Sequence, residues 1–112
     1  TSAIATAELD PLTHYCIVRA DLSPGVQGAN LIHAAGESSP GNLPDTTYAV
    51  ALTCPDEPAL LKLSARLSAA GVRHRAIIES EGPHAGQLMS LGLVPRPRSH
   101  LKKLLSSLPL LK

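Results

Sequence analysis

Ser23-Pro24-Gly25-Val26-Gln27-Gly28-Ala29-Asn30-Leu31-Ile32-His33-Ala34 follows closely on the strand-like run Tyr15-Cys16-Ile17-Val18-Arg19, and this junction decides the fold. Aromatic and β-branched residues in the run suit a strand. Ser23 is a good N-cap, and Pro24 suits the first helical position, where a missing N–H costs nothing. A helix is therefore expected to begin there. At 3.6 residues per turn Val26, Asn30, His33 and Glu37 fall along one stripe, while Ala29, Leu31, Ile32, Ala34 and Ala35 cover most of the remainder. A polar stripe on a mostly apolar helix predicts a lined cleft.

Upstream, residues 1–12 alternate small and acidic side chains as far as Asp10-Pro11 and read as a disordered arm, which leaves one domain over 13–112. Downstream, Ser38-Ser39-Pro40-Gly41-Asn42-Leu43-Pro44-Asp45 is a cluster of turn formers that ends the helix. Residues 46–53 are mostly apolar, with β-branched and aromatic members, and predict a strand covered on both faces in a central position. Asp56 caps a second helix with Glu57 and Pro58 in its first turn; Leu60, Leu63, Leu67 and Ala70 mark its buried stripe, and Gly71 ends it. Residues 72–79 read as a strand with Val72, His74, Ala76 and Ile78 on one face and Arg73, Arg75 and Ile77 on the other. After a loop over 80–86 comes a fourth strand over 87–94, stopped by Pro95 and Pro97. Residues 99–107 suit a short basic helix with Leu101, Leu104 and Leu105 inward. Strands alternating with helices imply right-handed parallel crossovers, an α/β class, and sites at the carboxyl ends of strands. The stripe with Asn30 and His33 is then expected to approach the loop carrying Glu79, Ser80, Glu81 and His84.

A chain of 112 residues has room for one core that buries about two thirds of its unfolded surface. With two Tyr, no Phe and no Trp, base stacking is excluded as a main mode of nucleic-acid binding. Cys16 and Cys54 sit in apolar surroundings without CxxC spacing, so reduced, buried thiols are expected. No apolar run approaches the roughly 18 residues of a membrane helix, and the first residues lack the basic start of a signal peptide, so a cytoplasmic location is expected. The net charge of +1 hides an asymmetry: residues 1–60 carry one base against seven acids, a balance of −6, and residues 61–112 carry nine bases against two acids, a balance of +7. Arg96, Arg98, Lys102 and Lys103 form a carboxylate-free segment able to meet phosphate, or else a solvated face. His74, His84 and His100 do not fall at metal-ligand spacing, and no metal is predicted.

The order of this strand and helix, with its Ser-x-Gly start and an amide three residues before His-Ala, resembles peptidyl-tRNA hydrolases of the second, archaeal and eukaryotic, class. The likeness spans roughly residues 13–112 and continues through Leu52-Thr53-Cys54-Pro55-Asp56-Glu57 entering a helix, Ala70-Gly71-Val72-Arg73-His74 leading to a strand, and the closing Leu88-Met89-Ser90-Leu91-Gly92-Leu93. The resemblance implies a single α/β domain with a mixed four-stranded sheet flanked by helices. It also implies a hydrolase acting in translation without a cofactor, cleaving the ester between a peptide and the terminal ribose of tRNA. Against the family pattern, the usual helix lysine corresponds to Val26, the glutamine to Asn30 and the histidine to His33. The family's Asp-Ala-Gly-x-Thr aligns by its glycine with Ser80-Glu81-Gly82-Pro83-His84, placing Ser80 at the aspartate and His84 at the threonine.

Ester hydrolysis needs a base or an oriented water, and a donor for the oxyanion of the tetrahedral intermediate. His33 with Glu37 one turn on supplies a candidate base and Asn30 a candidate donor; Glu79, Glu81 and His84 are candidates for the acid/base capacity of the altered loop. The acceptor end of tRNA is the expected partner, held by Arg96, Arg98, Lys102 and Lys103. Two other readings stay open: a non-catalytic RNA- or protein-binding module of the same fold, and a tRNA-dependent acyl or peptidyl transferase. A homodimer or a protein partner also stays open, and no membrane association is expected.

Overall fold

The computed structural model describes residues 10–112, and within them a mixed sheet of five strands is flanked by three helices. The elements run β1 (Leu12–Arg19), α1 (Pro24–Ser38), β2 (Tyr48–Cys54), α2 (Glu57–Ala69), β3 (His74–Ile78), β4 (Leu88–Leu93) and β5 (Arg96–Pro97), then a 3-10 turn at Arg98–His100 and a single-turn α3 (Lys102–Leu105). Strand order is β2-β1-β4-β3, with β5 added to β1. β1 runs parallel to β2 (Ile17↔Leu52) and antiparallel to β4 (Ile17↔Leu91), and β4 is antiparallel to β3 (Ala76↔Leu91). Its apolar run makes β1 the strand with both faces covered, buried from Thr13 to Arg19.

Successive side chains of β1 turn to opposite faces. Tyr15 and Ile17 join Leu52, Leu91 and Leu93 under α2, which contributes Leu60, Leu63 and Leu67. Cys16 and Val18 join Ile77 and Met89 under α1. Cys16 and Cys54 are both free and buried, and burial pushes the Cys16 thiol up to about 11.

α1 lies unusually close to the sheet. A Cβ on Gly92 would overlap the Ala34 carbonyl oxygen and the Ser38 hydroxyl, so only glycine lets the helix rest on β4 at this point. Polar groups close the seam: Ser38 Oγ donates to Ala34 O (2.6 Å) and lies 2.7 Å from His14 Nε2, and Ser90 Oγ donates to Asn30 O (3.0 Å). α2 is bounded as expected. Asp56 Oδ1 accepts from Ala59 N (3.1 Å), and Gly71 at φ +72° closes a Schellman end in which Val72 N donates to Leu67 O and Gly71 N to Ser68 O.

Several expectations are corrected. The strand expected to be central, β2, ends the strand order, and Tyr48 and Ala49 are exposed; its apolar residues face a groove and the C-terminal segment instead of a further full strand. Ala70 lies beyond the last turn of α2 and is exposed, because the helix end has already turned the chain away. β3 starts at His74, since Val72 is taken up by the Schellman end; Ile77 and Ile78 turn to opposite faces as expected, with Ile77 the buried one. The basic helix shrinks to one turn after a 3-10 turn, although Leu101 and Leu105 are buried as expected. Beyond it the chain bends back so that Leu110 bridges Leu52 antiparallel. The expected arm falls mostly on residues 1–9, outside the described residues; Asp10 binds Ser99 N (2.8 Å) and Oγ (2.7 Å), Pro11 O accepts from Arg98 N (3.0 Å), and Leu12 already belongs to β1.

The seam under α1 makes stability depend on pH. The single Ser38 proton goes to Ala34 O, so His14 Nε2 donates to Ser38, and burial lowers the His14 pKa from 6.5. The unfolded chain takes up this proton more readily, so the contribution is complete above the unfolded value and is lost as pH falls through it toward the lowered folded value. Urea unfolding between about pH 7.5 and about pH 5.5 should show a larger loss of stability for the parent than for His14→Gln, which keeps a donor but does not titrate. Equal losses would exclude His14 as the source.

Candidate functional site

α1 carries Asn30 and His33 on the face that meets the end of β3, because the seat on Gly92 fixes the helix over β4 and β3. A hollow of about 230 Å³ opens there, with Asn30 and His33 on one side and Ile77, Ile78, Glu79 and Ser80 on the other. Asn30 is nearly buried and its Nδ2 donates to Val26 O (2.9 Å); the second N–H of that nitrogen is not used by this bond. His33 is exposed at the mouth. Glu79 is anchored by its backbone, with Glu79 N donating to Gln87 O (3.0 Å) and Gly86 N donating to Glu79 O (2.8 Å), while its Oε1 accepts from Ser80 N (3.0 Å). The sequence-based pairing of the helix stripe with the end of the third strand is thus realised for Asn30, His33, Glu79 and Ser80, and not for Glu81 or His84.

Other candidates lie elsewhere. Glu37, expected to support His33, stands 3.9 Å from Arg75 Nη2, because β3 brings an arginine against the end of α1. Glu81 is an exposed turn residue outside the hollow. His84 belongs to a second polar cluster at the carboxyl end of β1. Arg19, only 6% exposed, is the hub: it binds both carboxylate oxygens of Asp21 (2.9 Å each), Gln87 Oε1 (2.8 Å) and Leu88 O (3.3 Å). Glu57 Oε2 accepts from Leu88 N (2.7 Å) and ties the start of α2 to the same place. The Arg19 hydrogen bonds hold the Asp21 carboxyl below its usual range, and the Asp21 bond raises Arg19 in turn.

This cluster assigns a tautomer. Gln87 Oε1 accepts from Arg19, so that atom is the amide oxygen, and His84 Nδ1, 3.0 Å away, must carry a proton to bond to it. A neutral His84 then presents Nε2 as an acceptor, the form a base requires. Sequence reasoning did not single out Arg19, Asp21, Glu57 or Gln87. A usable signal was present: an arginine ends a buried apolar strand, and acids follow the ends of both parallel strands at Asp21, Asp56 and Glu57.

The expected tRNA-binding cations are separated from the hollow. Arg96 pairs with Thr13 at the amino end of β1, Arg98 and Lys102 overhang a groove of about 940 Å³ there, and Lys103 is exposed on α3. The hollow sits at the opposite end of the strands, where Ile78 pairs with Leu88. No family model and no curated protein matches this sequence. Among the described residues, no helix is long and apolar enough to cross a membrane.

Replacing Arg19 with Met should leave Leu88 O and Gln87 Oε1 without their strongest donor, at a cost of about 1–3 kcal/mol in urea unfolding. It should also loosen His84, read as a change in the populations of its two neutral tautomers by imidazole nitrogen NMR. Unchanged stability and an unchanged His84 tautomer would contradict the hub role.

Proposed function

We propose that this chain is a peptidyl-tRNA hydrolase-like domain that receives the acyl ester at the 3′ end of tRNA in the hollow between α1 and the end of β3. One observation carries the reading: an imidazole and a carboxamide from α1 meet a carboxylate and a hydroxyl from the end of β3 around one opening. At about 230 Å³ the hollow is smaller than the roughly 300–1,000 Å³ of a typical small-molecule pocket, which suits an ester with a short acyl group while the nucleotide stays outside.

The chemistry follows from the positions. His33 takes a proton from water as the water oxygen bonds to the ester carbonyl carbon, and the second amide N–H of Asn30 stabilises the oxyanion that forms. Collapse of the tetrahedral intermediate breaks the bond to the ribose oxygen, which recovers the proton from the His33 imidazolium. Glu79 brings a carboxylate to the same opening. The cations at the far end of the strands are left out of this step.

A second reading, a non-catalytic binding module of the same fold, is favoured by Val26. At the position matching the family lysine, this side chain packs against the cluster of Val18, Leu22 and Met89 instead of offering a cation.

Incubation with N-acetylaminoacyl-tRNA decides between them. The hydrolase reading expects release of the acyl group by the parent, a fall of about 10²–10⁴-fold in His33→Ala, and a smaller fall in Glu79→Gln. Absence of turnover in the parent overturns it, and tRNA binding that persists and weakens steeply with salt would then support the module.

A further inference from the structure

At the other end of the sheet, the outer edge of β2 is covered by described residues along only half its length. Thr53 N donates to Pro109 O (2.9 Å) and Leu111 N donates to Ala51 O (3.0 Å), so residues 51 and 53 turn backbone groups away from β1. By the two-residue period of a strand, Ala49 turns its N–H and C=O the same way, and among the described residues no strand pairs with it. Such an edge is a template for a further strand.

Beside this edge lies the groove of about 940 Å³. Tyr15, Val50 and Leu52 line it from the sheet and Leu105 and Leu108 from the C-terminal segment, and Tyr48 and Leu110 are 58% and 59% exposed at its margin. Arg98 and Lys102 stand over it, and among the described residues neither has a carboxylate within 4.0 Å. Asp10, the acid of the rim, commits both its oxygens to Ser99. The free N–H and C=O of Ala49, an apolar floor and cations unpaired among the described residues together describe the complement of an extended peptide with acidic residues.

We propose that the free half of the β2 edge takes up an extended acidic segment of a partner protein as an added strand, in line with residues 109–111. Alternate side chains of that segment lie in the groove over Tyr48 and Val50, and its carboxylates meet Arg98 and Lys102. RNA shares the charge preference but has no main chain to complete a sheet edge, and the two tyrosines of the groove are a sparse stacking platform. This site is independent of the hollow beside His33.

The probe is a fluorescein-labelled peptide, Glu-Glu-Val-Thr-Val-Thr-Val-Glu-Glu, followed by anisotropy, with hydrogen exchange of the protein amides in parallel. The expected result is saturable binding, slower exchange at Ala49, and affinity about tenfold lower for Lys102→Glu and for Ala49→Pro. Proline at residue 49 removes an N–H that no described group uses; should that variant fold poorly, protection of Ala49 in the parent and the exposed Lys102→Glu carry the test. Equal binding of the same peptide with Lys in place of Glu overturns the proposal, as does absence of binding or binding without protection at Ala49. Salt-sensitive tRNA binding that is lost in Lys102→Glu, with no peptide binding, would assign the groove to nucleic acid. Ala49 protection that grows with protein concentration alone would assign the edge to a second copy of this chain.

Discussion

The placing of Asn30 and His33 at the carboxyl end of this sheet depends on how closely α1 approaches β4 at Gly92. A helix normally rests on a sheet through interleaved side chains; here the Ala34 carbonyl and the Ser38 hydroxyl come against bare backbone. The Ser38 proton then satisfies Ala34 O, His14 supplies Ser38 with a donor, and Ser90 reaches Asn30 O. Buried polar groups are costly unless paired, so this seam holds the helix at one height and one rotation. The rotation is what turns Asn30 and His33 toward the end of β3 and not toward solvent alone.

A lopsided charge distribution along the chain becomes a lopsided distribution in space. Asp21, Asp56 and Glu57 gather where the parallel strands end, with Asp21 bound by Arg19 and Glu57 holding the first residue of β4, whereas Asp10, Glu37 and Asp45 lie toward the other end. Bases of the C-terminal segment sit where β1 begins, on β5, the 3-10 turn and α3. The domain therefore presents two unlike ends: a small hollow with titratable groups, and a wide cationic groove beside an open strand edge. Chemistry suits the first and docking suits the second.

Local signals in the chain were enough for the main elements. Pro24 opens α1, Asp56 caps α2 and Gly71 closes it, as the residues indicate, although the Ser23 hydroxyl makes no cap bond. The meeting of Asn30 and His33 with Glu79 was legible from the rule that sites form at the ends of parallel strands. What was not legible depends on partners distant in sequence. An apolar β2 looks the same whether a strand or a folded-back C-terminus covers it, so its place at the edge was missed. Glu37 lies one turn from His33, yet Arg75 arrives from another strand and takes it. Arg19 reads as a surface residue until Gln87 and Leu88 are brought beside it.

A methyl group added at Gly92 tests the central constraint most directly. In Gly92→Ala the side chain must push α1 off β4, so the account predicts a stability loss of about 1–3 kcal/mol in urea. It also predicts amide shift changes along α1 and at Glu79 and Ser80, with little change at Tyr48 and Val50. An alanine variant as stable as the parent, with the Asn30, His33 and Glu79 resonances unmoved, would contradict it.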